Sequence, residues 1–205
     1  MAASEKRSSA RVAPRSVTRD VATSAMTSAI VVALDSTAAP AIVGVAAQRG
    51  DAALFDALLA ASRRASSPDE YYRYLFATTS FRDPALIQRA LEYGLSPDLR
   101  NQDTALYFAR LLFNDGARVR TWAFLKEHWT ALAPQISVAG GDTNLVSSLA
   151  AFCDAGARDD VKAFFAAHPL PVATRTLSQT LERIDACVAL REKQLPFASE
   201  WLAGR

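Results

Sequence analysis

The stretch "RDPALIQRALEYG", Arg82 to Gly94, decides the fold class. Asp83 carries a carboxylate that can accept from the free N–H groups of a helix start, and Pro84 suits the first helical position, where no N–H is needed. Leu86, Ile87, Ala90 and Leu91 then recur at the spacing that lines one helix face, and Gly94 offers a left-handed stop. Start signal, stripe and stop agree, so the segment predicts one amphipathic helix.

The same grammar extends in both directions. Upstream, Asp51 precedes Leu54, Phe55, Leu58 and Leu59, and "SPDE" (Ser67–Glu70) reads as a capping box with Pro68 at the first position, followed by the aromatic run "YYRYLF". Downstream, Asp103 predicts a cap ahead of Leu106, Tyr107 and Leu111. After the Asp115-Gly116 turn, one longer helix is expected with Val119, Trp122, Trp129 and Leu132, ended by Pro134. Asp142 begins a helix bearing Leu145, Leu149 and Phe152, and Val161, Phe164 and Phe165 mark a short one. The last long helix carries Leu177, Leu181, Ile184 and Val188.

No segment alternates with period two long enough to make a strand. Eight or nine helices of roughly 10 to 20 residues joined by short connections predict an all-α fold, a solenoid of antiparallel helix pairs each burying its face against the next. Residues 38–205 are assigned to it. Residues 1–37 are rich in Ala, Ser, Thr and Arg and lack aromatic residues, and are expected to be a disordered extension. Their Arg- and Ser-rich composition also leaves targeting by residues 1–33 open.

The formal net charge of +2 divides into +3 for residues 1–33 and −1 for the rest, so the helical part lacks the clustered basic face that nucleic acid requires. No apolar run reaches the roughly 20 residues of a membrane span. Cys153 and Cys187 lie in apolar-periodic segments without C-x-x-C spacing and are expected to be two buried thiols. With nothing arguing for an oxidising compartment, a cytoplasmic location is expected.

His128 and His168 are the only histidines. A zinc hydrolase of the His-Glu-x-x-His type needs two on one helix face, and that motif is absent, as are G-x-S-x-G and the Gly-rich phosphate loops. His168 precedes Pro169, which pushes it out of the helical region, so "HPLP" is expected to be a corner between two helices. Thr174 or Thr176 would cap the next helix, leaving Arg175 in its first turn. A cation at a helix start is unfavourable, which makes Arg175 a candidate for a specific contact.

Three segments together resemble a known family. "LRNQDTALYFARLLFNDGARVRTWAFLKEHWTAL" (Leu99–Leu132), "DVKAFFAAHPLP" (Asp160–Pro171) and "RTLSQTLERIDACVAL" (Arg175–Leu190) are similar to the C-terminal helical domain of zinc aminopeptidases of the aminopeptidase N and puromycin-sensitive type. The resemblance rests on Arg100-x-Gln102-Asp103, on the string from Trp122 to Trp129, on Phe164-Phe165 ahead of His168-Pro169, and on Arg175-Thr176-Leu177-x-Gln179, and it spans residues 38–202. It implies a superhelix of HEAT-like or armadillo-like helices that closes over an active-site cleft and touches the far end of a bound peptide. Catalysis and zinc would belong to a preceding domain, whose His-Glu-x-x-His and Gly-x-Met-Glu-Asn motifs have no counterpart in this sequence.

The expectation is therefore a non-catalytic C-terminal domain with no cofactor of its own, from a truncated, split or mis-started chain, whose partner is an aminopeptidase catalytic domain or a peptide. A free-standing helical-repeat adaptor is the alternative. Arg100, Gln102 and Arg175 are the candidate substrate or interface contacts, facing a cleft or tying helices together. Asp103, Trp122, Trp129, His168 and Pro169 are expected to be structural.

Overall fold

The computed structural model describes residues 38–204, and the readings made above for residues 1–37 lie outside them. Ten α-helices and four short 3-10 turns, with no strand, make up the described residues. In chain order they are α1 (Ala39–Gln48), α2 (Ala52–Arg64), α3 (Pro68–Ala77), α4 (Pro84–Leu95), α5 (Asn101–Phe113), α6 (Arg118–Glu127), α7 (Trp129–Ile136), α8 (Gly141–Ser148), α9 (Ala155–Ala167) and α10 (Thr174–Ala203). The all-α class follows from the stripes read in the sequence.

Helix starts carrying a side-chain cap were the most legible. Asp51 accepts from the Leu54 N–H at 2.9 Å, and Asp83 accepts from those of Ala85 and Leu86 at 2.8 and 3.1 Å. Ser67 Oγ accepts from the Glu70 N–H at 3.3 Å with Pro68 opening α3. The return half of this capping box is displaced by one residue, since the Glu70 carboxylate takes the N–H and hydroxyl of Ser66. Those donors hold its carboxyl below the usual range.

Packing centres on α5, whose Tyr107, Phe108, Leu111 and Leu112 are fully buried. It packs against α4, α6, α7 and α8, while α10 lies on α8 and α9. α5 is thus covered by helices both near to it and distant from it in the chain, α8 most of all. Gly141 sits where α8 meets α5, and a Cβ there would come within 2.5 Å of the Ala105 Cβ and 2.2 Å of the Ile136 carbonyl oxygen. Only a residue without a side chain permits that approach.

Several expectations are corrected. Gly94 is not a left-handed stop; it is a buried residue inside α4, where a Cβ would meet the Phe108 ring at 2.7 Å. The predicted long helix is two, α6 and α7, joined at His128, and Pro134 lies inside α7. α7 nevertheless continues to Ile136. Val119 is exposed rather than part of the buried stripe, and Phe152 follows α8 after a 3-10 turn at 149–151. Neither Thr174 nor Thr176 caps α10, because a 3-10 turn at Pro171–Ala173 runs straight into it and Thr174 Oγ1 donates back to the Pro171 carbonyl.

The cysteines are corrected as well. Cys153, just after the turn that follows α8, and Cys187 on α10 form a disulfide with their Cα atoms 5.3 Å apart. They are neither free nor fully buried. A separation of 34 residues gives no local signal, and only the docking of α10 against the end of α8 brings them side by side.

Candidate functional site

Most of the candidate residues fall into two clusters on the helical scaffold. The first is organised by Asp103. It stands in the first turn of α5 as an interior carboxylate, its side chain 1% exposed, while the N-cap position is held by Arg100 without a side-chain cap. Its two oxygens divide the donors. Oδ1 accepts from the Tyr72 hydroxyl at 3.0 Å, and Oδ2 accepts from the Tyr71 hydroxyl at 3.0 Å and from Arg100 Nε at 2.7 Å. The Arg100 guanidinium lies 4.0 Å from the centroid of the Tyr71 ring, a cation–π contact.

This arrangement neutralises a buried charge with one cation and two phenols. The Tyr71 phenol is pushed well above its ordinary range, first by burial and then by the carboxylate it donates to. Arg100 is held protonated still more firmly by Asp103. Arg100 and Asp103 are therefore brought together, and both tie α3 to α5. Gln102, between them in sequence, is exposed on the outer side of α5. Tyr71 and Tyr72 stand in the sequence only as part of an aromatic run; partners 31 and 32 residues away leave no periodic trace.

The second cluster gathers Trp122, Trp129, Phe164, Phe165 and His168. Phe164 stands edge-on to both indoles with centroids 5.1 Å apart, and the His168 ring stacks on Phe164 at 4.4 Å. The Trp122 indole N–H and the Lys126 ammonium both donate to Asp160 Oδ2 at 2.6 Å, joining α6 to α9. Partial burial opposes the Asp160 charge, but Lys126 and the indole outweigh it and lower its pKa. His168 caps the C-terminus of α9, its N–H donating to the Phe164 carbonyl and its ring Nδ1 3.0 Å from the same oxygen. The corner at His168-Pro169 is as the sequence indicated. Arg175 is exposed on the second residue of α10 and belongs to neither cluster.

Between α4 and the α6–α7 joint lies an open groove of about 470 Å³ lined by Gln88, Glu92, Leu95, Ser96, Phe124 and His128. Along its wall the Gln88 amide donates to the Glu92 carboxylate at 2.9 Å.

The zinc implied by the resemblance does not fit these residues. His128 rests on Phe124 and His168 on Phe164, and among the described residues no group of three or more His, Cys, Asp or Glu side chains could hold a metal ion. Nor is any helix among them long and apolar enough to cross a membrane.

Fold and clusters together define an all-helical domain in which Asp103 and Asp160 tie neighbouring helices together. The chain belongs to the family described as the ERAP1-like C-terminal domain, which matches residues 17–186. That match begins within the stretch read above as an extension.

Among curated proteins the chain is similar to Aminopeptidase M1 of Arabidopsis thaliana, 30% identical over 139 residues, covering 67% of this chain and 16% of that protein. It is also similar to Aminopeptidase M1-B of Oryza sativa subsp. japonica, 31% identical over 131 residues, covering 63% of this chain and 15% of that protein. For the Alanine/arginine aminopeptidase of Saccharomyces cerevisiae the figures are 29% over 122 residues, 58% and 14%. The match thus spans about one sixth of these relatives' length. This is the C-terminal domain of an aminopeptidase family.

Proposed function

We propose that this domain takes no part in bond breaking itself, and that it packs on an aminopeptidase catalytic domain and helps to enclose the peptide. The observation that carries this reading is family membership across residues 17–186 in a sequence with only two histidines and no His-Glu-x-x-His. The organisation of the side chains supports it. The buried carboxylate, the phenols and the indoles are spent on joining helices, and what remains open is a groove with an apolar floor. Arg100, Gln102 and Arg175 reach the surface and are the residues offered for contact with peptide or catalytic domain.

Two measurements test the two halves of the proposal. With zinc added, the purified chain should leave aminoacyl-anilide substrates intact, and hydrolysis retained through purification would overturn the non-catalytic half. Aminopeptidase M1 of Arabidopsis thaliana, cut back to remove the stretch that this chain matches, should bind the chain and recover peptide hydrolysis. Absence of binding and of recovery would overturn the packing half.

A further inference from the structure

The open groove between α4 and the α6–α7 joint holds polar groups that neither cluster uses. Gln88 and Glu92 stand one turn apart on α4, Leu95 and Ser96 lie at its end, and Phe124 and His128 come from α6 and the joint that follows it. The apolar surface is that of Leu95 and of Phe124, whose ring stacks on Phe108 and meets the tilted His128 ring with centroids 4.2 Å apart.

Hydrogen bonds within the chain already occupy much of the donor capacity. The Gln88 amide donates to Glu92 Oε1 at 2.9 Å, and the Ser96 hydroxyl donates to the Tyr93 carbonyl at 2.8 Å. The His128 main-chain N–H donates to the Phe124 carbonyl at 3.0 Å. Acceptors are left in excess. A carboxylate offers about four lone-pair sites, of which Gln88 fills one, and the Ser96 oxygen and the Gln88 side-chain carbonyl add their own.

The charge of Glu92 is unanswered as well. Among the described residues no Lys or Arg forms an ion pair with it. The basic residues beside the lining in sequence are engaged elsewhere, Arg89 with Asp56 and Lys126 with Asp160. An exposed glutamate on a plain surface would need no partner but water. This one shares a groove with Leu95 and Phe124.

The complement of such a groove is a cation with several donors on an apolar stem. Arginine has a permanent charge, five N–H donors in a planar fork that fits a carboxylate, and a methylene stem that lies on apolar surface. Lysine shares the stem and the charge, but its head is a point charge without the fork. An acidic side chain would be repelled by Glu92. The volume of about 470 Å³ is that of a small-ligand cleft, room for one side chain and not for a helix.

We infer that this groove binds an arginine side chain of a peptide, with its guanidinium on Glu92 and its stem on Leu95 and Phe124. That the peptide is one held for an aminopeptidase rests on the enclosing role proposed for the domain; the site itself does not.

Nuclear magnetic resonance of the full isotope-labelled chain, titrated with acetyl-Ala-Arg-Ala-amide, tests the site without terminal charges. The Gln88 side-chain amide and the main-chain N–H groups of Leu95, Ser96 and His128 should shift together and approach saturation at roughly 1 mM peptide, the scale of one anchored side chain. The same peptide with citrulline, the uncharged isostere of arginine, should bind about tenfold more weakly, and so should the arginine peptide to Glu92→Gln. Glu92→Lys should reverse the preference and favour acetyl-Ala-Glu-Ala-amide. Glu92 is exposed, so the variants should fold, which circular dichroism checks.

Absence of shifts at these residues overturns the inference, as does citrulline binding as well as arginine, undiminished binding to Glu92→Gln, or a Glu92→Lys variant that still prefers arginine. Where the shortened Arabidopsis thaliana aminopeptidase recovers hydrolysis with this chain, Glu92→Gln should raise KM for arginine-bearing peptides about tenfold. An unmoved KM, with arginine still bound by the isolated chain, would keep the site and overturn its use for the enzyme's peptide. Failure of the two chains to associate would overturn the enclosing role alone.

Discussion

At the scale of single residues, Asp103 shows how far a position's role depends on distant partners. As a cap it would be worth about 0.5–2 kcal/mol. As a buried carboxylate holding Tyr71, Tyr72 and Arg100, its loss strands two phenol hydroxyls and a guanidinium, although the half-exposed Arg100 recovers water. Asp103→Ala is therefore expected to cost about 2–4 kcal/mol, read as a drop in the urea unfolding midpoint. A loss under 1 kcal/mol would return Asp103 to an ordinary helix-start residue. The phenols add a pH dependence. Burial raises the Tyr71 and Tyr107 hydroxyls above their ordinary range, and for Tyr71 the Asp103 carboxylate adds to it. The folded protein thus holds these protons more tightly than the unfolded chain does. The stability they supply is complete below the unfolded tyrosine pKa of about 10 and is lost as pH rises beyond it. Melting temperatures should stay flat from pH 8 to about 10 and then fall, and Tyr71→Phe should make that fall shallower. An unchanged alkaline slope in the variant would contradict the assignment to Tyr71.

At the scale of elements, Gly94 sets two rules against each other. In a helix interior, alanine is favoured over glycine by about 1 kcal/mol. Here the added Cβ would sit 2.7 Å from the ring of Phe108, which is fully buried and stacked on Phe124. Overpacking of this kind costs about 1–3 kcal/mol, so Gly94→Ala should lose stability. In a Phe108→Leu background the same change should cost less, and a stabilised single variant would show that the α4–α5 contact is looser than described. The comparison explains what was legible in the sequence. Capped starts at Asp51, Ser67 and Asp83 were readable because donor and acceptor lie within four residues, and the stripes were readable because helical period is local. Gly94, Asp103 and the two cysteines were misread because their roles come from another helix. Of the candidate site, the His168-Pro169 corner was legible from the pre-proline constraint alone. That Trp122, Trp129 and His168 share one aromatic cluster required the packing of α6 and α7 on α9.

At the scale of the whole molecule, the Cys153–Cys187 bridge decides how firmly the last helix belongs to the body. It closes a 34-residue span that contains all of α9 and the packed half of α10, and it lies where α10 leaves the domain. One turn further on, Arg191 donates to the Cys153 carbonyl at 3.2 Å. A loop of that length restricts the unfolded chain by about 3.5 kcal/mol in the loop-entropy account. For a domain of this size that corresponds to roughly 10 °C of melting temperature. The double variant Cys153→Ser with Cys187→Ser, and the wild type treated with a dithiol reductant, should therefore melt at the same lowered temperature, roughly 10 °C below the untreated protein. Hydrogen exchange in the reduced protein should quicken first across α9 and the first half of α10. In the core around Tyr107 it should change only as far as global stability does. Two reactive thiols titrated in denaturant without reductant would remove the bridge from the molecule. A bridge that is present but whose loss leaves the melting temperature unchanged would mean that α8 and α9 alone fix α10, and that its buried face, through Thr180 and Ile184, suffices to hold it.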